Sequence, residues 1–156
     1  MSRLIDEIGQ AGTEAEGRAV SNRMWALWTQ APDAPAQALL DRGMRARSSF
    51  DFIGALEAFD RLVAYCPDYA EGYNQRAFVH YLTQRFPAAL ADLDRALARN
   101  PRHVGALSGK ALTLLALGRI AEARQVLAAA LTLNPWLPER GLAAPGGPLA
   151  PADRDL

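Results

Sequence analysis

The sequence has few of the residues on which enzyme active sites are usually built. Its 156 residues include one cysteine, Cys66, and two histidines, His80 and His103. A single cysteine excludes an internal disulfide, and no nearby histidine or cluster of cations would activate its thiol. His80 is expected as a hydrogen-bonded residue of the core, and His103 as a solvated residue of a turn. Since no nucleophile, base or metal ligands come together, the sequence predicts no enzyme, no metal site and no cofactor.

The sequence also lacks an excess of charge of either sign and a long apolar run. Lys and Arg total 17, as do Asp and Glu, whereas duplex-binding proteins concentrate positive charge on one face. The longest apolar runs, such as 111–117, fall short of the roughly 18 residues that span a bilayer. We therefore expect neither nucleic-acid binding nor membrane insertion, and the composition is typical of one soluble globular domain.

The N-terminus carries acidic residues where an export signal would need its apolar stretch. No uncleaved signal is therefore expected, and the cytoplasm is the default compartment. A periplasmic or secreted location would require a signal that had been removed before residue 1.

What the sequence does contain is a repeat. Pro67, Pro101 and Pro135 each follow a predicted helix and are spaced 34 residues apart. When three windows are aligned on these prolines, positions 8 and 20 hold small residues, which let two helices approach closely. Positions 17, 24 and 28 hold bulky apolar residues, spaced as one face of a helix. The windows are 36–69, 70–103 and 104–137; the small residues are Gly43, Ala77, Ala111, Ala55, Ala89 and Ala123.

This pattern resembles the tetratricopeptide repeat (TPR) family, whose 34-residue helix–turn–helix units carry small residues near positions 8 and 20 and proline at position 32. The resemblance covers residues 36–137 and implies an all-α, right-handed superhelical solenoid of three repeats. The family's Gly-Asp turn is replaced by Phe50-Asp51 and Gln84-Arg85 in the first two repeats. First helices are predicted at 36–48, 70–83 and 104–117, and second helices at 51–64, 86–99 and 120–133.

The segments on either side of the repeats are predicted to differ from each other. Residues 1–35 have apolar groups near helical spacing, interrupted by glycines, and predict an N-terminal helical cap followed by a linker. Residues 138–156 contain four prolines and three glycines and predict a flexible tail. The last predicted helix then has an under-covered face. Either the tail folds back over it through Leu137 and Leu142, or another chain covers it.

The resemblance also implies that positions 2, 5, 6, 9, 12 and 13 of the first helices line a concave groove. Family members that bind chaperone C-terminal carboxylates have Lys, Asn and further basic residues at four such positions. This chain has Leu40, Met44, Gly105 and Gly109 there, so a carboxylate clamp is not expected. The candidate groove residues are Met44, Arg47, Asn74, Gln75, Phe78, Tyr81, Ser108, Leu112 and Leu115.

These observations support two hypotheses of function. The first is a non-catalytic module that binds a peptide or helix of an unidentified partner protein in the groove, with apolar groups holding an apolar stripe. The same groups could instead only pack against neighbouring helices or receive Trp25 and Trp28 from the N-terminal segment. The second hypothesis is a structural protein that forms a homo-oligomer through the under-covered C-terminal helix face.

Overall fold

The structure is a computed structural model that describes residues 1–151, and within them the fold is all-helical. No helix of this part of the chain is both long and apolar enough to cross a bilayer. Eight α-helices are followed by one 3-10 helix. They are α1 (Ser2–Gln10), α2 (Glu14–Trp28), α3 (Ala34–Ser48), α4 (Phe52–Tyr65), α5 (Ala70–Leu82), α6 (Phe86–Arg99), α7 (Val104–Ala116), α8 (Ile120–Leu133) and the 3-10 helix Pro138–Ala143.

The pairs α3–α4, α5–α6 and α7–α8 form the three predicted helix–turn–helix repeats, and the predicted all-α solenoid is confirmed. The bounds of α6 and α8 agree with the prediction. Helix α3 begins earlier than predicted because the Asp33 carboxylate accepts a hydrogen bond from the Ala36 N–H at 2.9 Å and Pro35 lies in the first turn. Both features favour a helix start.

The small residues of the repeat lie where helices touch. Ala55, Ala89 and Ala123 are fully buried, and a Cβ placed on Gly43 would collide with the ring of Phe59. Close approach of two helix backbones requires a small residue on at least one of them. Large apolar side chains fill the space beside these contacts. The small residues that align in the sequence therefore lie at contacts between helices.

The turn inside each repeat needs a residue in the left-handed region. Gly118 has φ 74° in the third repeat, where it costs little. Phe50 and Gln84 stand at the equivalent places with φ 62° and 58°. A side chain in this region costs roughly 1–2 kcal/mol, so the first two turns are strained relative to the third.

The N-terminal segment forms the helix pair α1–α2, which packs on the third repeat. Leu4, Ile5 and Ile8 of α1 and Met24 of α2 share one apolar cluster with Val104 at the start of α7. The pair is joined at Thr13, which forms a reciprocal capping box with Glu16. Since α3 follows α2 directly along the chain, the pair extends from the first repeat to the third.

The last described segment also packs on the third repeat, so the prediction of a flexible tail is wrong for residues 138–150. Leu149 is fully buried against α7 and α8, and Leu142 packs beside it. The Leu149 N–H donates to the Leu142 carbonyl at 2.8 Å. A Cβ on Gly147 would collide with the same carbonyl, so glycine makes this close turn possible. Residues 152–156 of the predicted tail lie outside the described residues.

Of the two alternatives stated for the outer face of α8, the structure shows the tail folding back over it, through Leu142 and Leu149. The outer face of α8 was predicted to be under-covered, but Val126 and Leu131 of that face pack with Leu142 and Leu149 from the same chain. The prolines around Leu142 and Leu149 prevent a long helix, but burial of the two leucine side chains still stabilises the packing of this segment. The chain covers its own C-terminal helix.

Candidate functional site

A pocket of about 290 Å³ lies between the first helices of the second and third repeats. Helices α5 and α7 form its floor. Trp25 of α2 and residues 137–139 close it on two sides. The lining residues are Trp25, Asn74, Gln75, Ala77, Phe78, Tyr81, Leu93, Gly105, Ser108, Gly109, Leu112, Thr113, Leu137, Pro138 and Glu139.

Six of the nine candidate groove residues line this pocket: Asn74, Gln75, Phe78, Tyr81, Ser108 and Leu112. The other three lie elsewhere. Met44 packs against the core of the first repeat, and Leu115 packs with the apolar cluster of α7 and α8. Arg47 lies beside the pocket, with its guanidinium 4.6 Å from the centre of the Phe78 ring.

Three aromatic side chains, those of Trp25, Phe78 and Tyr81, line the pocket. Phe78 keeps 45% of its surface exposed, an unusual fraction for a large apolar side chain in a concave position. Tyr81 packs edge-to-face on Phe86, with ring centres 5.5 Å apart, which fixes its orientation. Trp25 faces them from α2 and is also partly exposed. The groove is therefore narrowed to a pocket by the chain's own N-terminal helix.

A largely buried chain of polar side chains runs beneath the pocket and connects α3, α5 and the start of α7. Arg47 donates to the carboxamide oxygen of Gln75. The nitrogens of Gln75 and Asn74 donate to Glu71 Oε1 at 2.7 and 3.2 Å. The other oxygen of Glu71 lies 2.5 Å from Nε2 of His103. Burial lowers the pKa of the Arg47 guanidinium, and the nearby Glu71 carboxylate opposes this shift.

The protonation of His103 follows from its two partners. Its Nδ1 accepts a hydrogen bond from the Ala106 N–H at 3.0 Å, which caps the start of α7. Because an accepting nitrogen carries no hydrogen, the proton of the neutral ring is on Nε2, which donates to Glu71. This residue was predicted to be solvated, but only 1% of it is exposed. The prediction is wrong because the indole of Trp28 covers the ring.

His80 lies on the other side of α5, outside the pocket. It was predicted to be a hydrogen-bonded core residue; its side chain is only 15% exposed, but its buried Nδ1 has no hydrogen-bond partner within residues 1–151. Its Nε2 is 3.7 Å from Asp92. Burial lowers the pKa of His80, and the charge of Asp92 opposes that shift. Arg76 holds the same carboxylate with two hydrogen bonds of 2.7 and 2.8 Å.

Comparison with known proteins identifies the fold family. A family model described as Tetratricopeptide repeat matches residues 79–136. A TPR repeat-containing protein of Rhizobium etli is 27% identical over 114 residues, which are 73% of this chain and 56% of that protein. The chain has the TPR fold. It spans about half the length of this curated relative.

Solved TPR domains have the same fold. The TPR2B domain of yeast Sti1, in a complex with pHsp70, is 28% identical with a TM-score of 0.63, and the match covers 72% of this chain and 89% of that one. The second TPR domain of human RPAP3, in complex with an HSP70 peptide, is 23% identical with a TM-score of 0.64. That match covers 67% of this chain and 88% of the human domain.

The chain has no cation at the four clamp positions considered from the sequence. Leu40 is fully buried in the core of the first repeat, and Met44 packs beside it. Gly105 lies next to the His103 ring, and Gly109 lies next to Leu93. These positions are used for packing and for the buried polar chain.

Sequence reasoning missed part of this site. It singled out Trp25 and Trp28 only as side chains that the groove might receive. Glu71 and Glu139 were not identified, although Glu71 organises the polar chain and Glu139 lines the pocket. Glu139 lies outside the repeats, where no periodicity indicates its neighbours. Glu71 gave a weak signal, because the resemblance places it at a groove-facing position.

Proposed function

We propose that this TPR protein is a non-catalytic interaction module that binds a peptide or helix of a partner protein in the pocket between α5 and α7. The observation that carries this proposal is the set of large apolar side chains, Trp25, Phe78 and Tyr81, held around a concave opening. A concave, mainly apolar site with a few polar groups is the usual form of a binding pocket. The peptide complexes of Sti1 and human RPAP3 support a peptide as the class of ligand.

The size of the pocket sets how a partner would enter it. Ligand pockets commonly span about 300–1,000 Å³, so a pocket of about 290 Å³ holds one or two side chains. An α-helix is about 10–12 Å across with its side chains and does not fit inside. The partner therefore lies across the opening and inserts anchor side chains. Each buried large apolar anchor contributes about 1.5–3 kcal/mol, reduced by the entropy of ordering the partner.

The direct test is affinity capture from a lysate of the source organism. The bait proteins are the wild type, a Phe78→Ala/Tyr81→Ala variant and a control variant with Phe50→Ala/Ile53→Ala. The control removes side chains that are 81% and 85% exposed but lie outside the pocket. We expect a partner retained by the wild type and the control and lost by the pocket variant. Retention by the pocket variant, with the fold confirmed by circular dichroism, would contradict the proposal.

A further inference from the structure

The polar groups around the pocket include both acceptors and donors, but the charge of its lining is of one sign. Among the lining residues of segment 1–151, Glu139 is the single charged side chain, and no Lys, Arg or His is present. Nitrogens of the Asn74 and Gln75 amides donate to Glu71 below the pocket. The Thr113 hydroxyl donates to the Gly109 carbonyl in its own helix. The pocket therefore favours a ligand that brings positive charge.

Glu139 is the strongest of these acceptors, and part of it is unsatisfied. Its Oε2 is buried and has no hydrogen-bond partner within the described 151 residues. A buried carboxylate oxygen without a donor is energetically costly, and a charged donor compensates more of that cost than a neutral one. Within the described residues no cation pairs with Glu139, and an ammonium or guanidinium group in the pocket would pair with its carboxylate.

The aromatic walls favour the same kind of ligand. Ring faces attract cations, and a cation held over a ring gains about 0.5–2 kcal/mol, depending on how far it is desolvated. Arg47 already lies 4.6 Å from the centre of the Phe78 ring, so this environment holds a guanidinium in the free protein. Arg47 donates to Gln75, which in turn donates to Glu71, so this cation belongs to the buried polar chain and forms no ion pair with Glu139.

We propose that the pocket takes a cationic anchor, the side chain of a lysine or arginine flanked by apolar residues in a partner protein. This inference rests on the proposed function of the pocket as a peptide site. The alkyl stem of the anchor would pack against Leu112 and Leu137, and its charged end would reach Glu139. This polarity is the reverse of that of a clamp for peptide carboxylates.

The test is selection from a random peptide library displayed on phage, with the wild type, Glu139→Gln and Glu57→Gln as targets. Glu139→Gln keeps the shape of the side chain and removes its charge. Glu57→Gln is the matched control, because Glu57 is exposed on α4 away from the pocket. We expect the wild type and the control to select peptides with a fixed Lys or Arg between apolar residues. The Glu139→Gln protein should lose that preference.

A selected peptide then gives a quantitative test. Replacing its basic residue by methionine should weaken binding to the wild type about tenfold or more, and binding to Glu139→Gln much less, because the pair no longer interacts. The affinity of the basic peptide should also fall as salt rises. The peptide substitution and the salt series use the unaltered protein, so they remain informative even if Glu139→Gln folds poorly.

The possible failures are distinguishable. Absence of any selected peptide, or selected peptides that bind Phe78→Ala/Tyr81→Ala as tightly as the wild type, would overturn the proposed function and this inference with it. Peptides that require Phe78 and Tyr81 but contain no fixed basic residue would overturn only the cationic anchor. Equal loss of affinity for the methionine peptide in the wild type and in Glu139→Gln would also overturn only the cationic anchor.

Discussion

The indole of Trp28 lies parallel to the imidazole of His103, with ring centres 4.2 Å apart and an angle of 15° between the planes. The contact joins the end of α2 to the start of α7. It is reinforced by Tyr69, whose hydroxyl donates to the Trp28 carbonyl at 2.5 Å. Burial raises the pKa of this phenol, and the charge of Glu71 raises it further. The stack therefore holds the N-terminal helices beside the pocket and shields the His103–Glu71 hydrogen bond from water.

His103→Ala is expected to destabilise the protein by about 2–4 kcal/mol, measured by urea unfolding. The variant loses the cap of α7, typically worth about 1 kcal/mol, and leaves the buried Glu71 without its donor, which costs about 1–3 kcal/mol. His103→Asn keeps a capping side chain but does not reach Glu71, so it should recover only the capping part. A free energy of unfolding unchanged by His103→Ala would show that the polar chain contributes nothing to stability.

Gln84→Gly is expected to stabilise the protein by about 0.5–1 kcal/mol. Glycine removes the strain of a side chain at φ 58°, about 1–2 kcal/mol, and offsets part of the gain through its larger freedom in the unfolded chain. The reverse control, Gly118→Gln, should destabilise the third repeat by a similar amount. Both are read from urea midpoints at constant slope, and a destabilised Gln84→Gly protein would contradict the prediction.

Gly17→Ala should weaken the packing of α2 on the third repeat. Its Cβ would collide with the ring of Trp136, and such overpacking typically costs about 1–3 kcal/mol. Gly9 of α1 has no atom within 4 Å of an added Cβ, so Gly9→Ala is a control that should be neutral or stabilising by up to about 1 kcal/mol. Equal melting temperatures for the two variants would mean that α2 does not pack there.

Leu149→Ala should cost about 2–5 kcal/mol, the usual range for truncating a fully buried leucine. Leu149 has no exposed surface, whereas Leu27 of α2 is one of the exposed apolar residues. Leu27→Ala therefore serves as the control and should change the free energy of unfolding by less than about 0.5 kcal/mol. Similar small effects in both variants would mean that the C-terminal segment does not pack on α7 and α8 in solution.

Stability should fall below about pH 6.5 partly because of His80. Its pKa is lowered in the folded protein, so the unfolded chain binds more protons in this range and acid favours unfolding. The negative charges of Asp92 and Asp60 raise the pKa of His80 and so oppose this shift. The positive charges of Arg76 and Arg85 lower the pKa further. A His80→Gln variant should lose less stability between pH 7.5 and pH 5 than the wild type. An equal loss in the two proteins would exclude His80 as the cause.

The helices could be predicted from the sequence because the signal for each is local. The prolines end each repeat, and the small residues of positions such as Ala89 and Ala123 recur at each helix contact. The burial of His103 could not be predicted, because it depends on Trp28, which is distant in the sequence and belongs to no repeat. Leu149 was missed for a related reason. Prolines and glycines around it stop a helix but do not prevent one leucine from entering a core.

The residues of the candidate site also divide into those that the repeat predicts and those that it does not. Phe78, Tyr81 and Leu112 were found because they occupy repeat positions that face the groove. Trp25 and Glu139 complete the pocket from the two segments outside the repeats, where periodicity gives no information about neighbours. The closed shape and the single charge of the pocket are therefore properties of the tertiary structure.

The N-terminal helix pair also changes how this protein should unfold. In an open solenoid each repeat contacts only its neighbours, so the terminal units fray first and stability adds up one repeat at a time. Here Arg102 donates to the Ser2 hydroxyl at 3.2 Å, and Asn134 donates to the Ser21 hydroxyl at 3.0 Å. Helices α1 and α2 thus stabilise the third repeat. Unfolding of either part would expose the surface of the other that it covers. We therefore expect the described helices to unfold in one cooperative step rather than one repeat at a time.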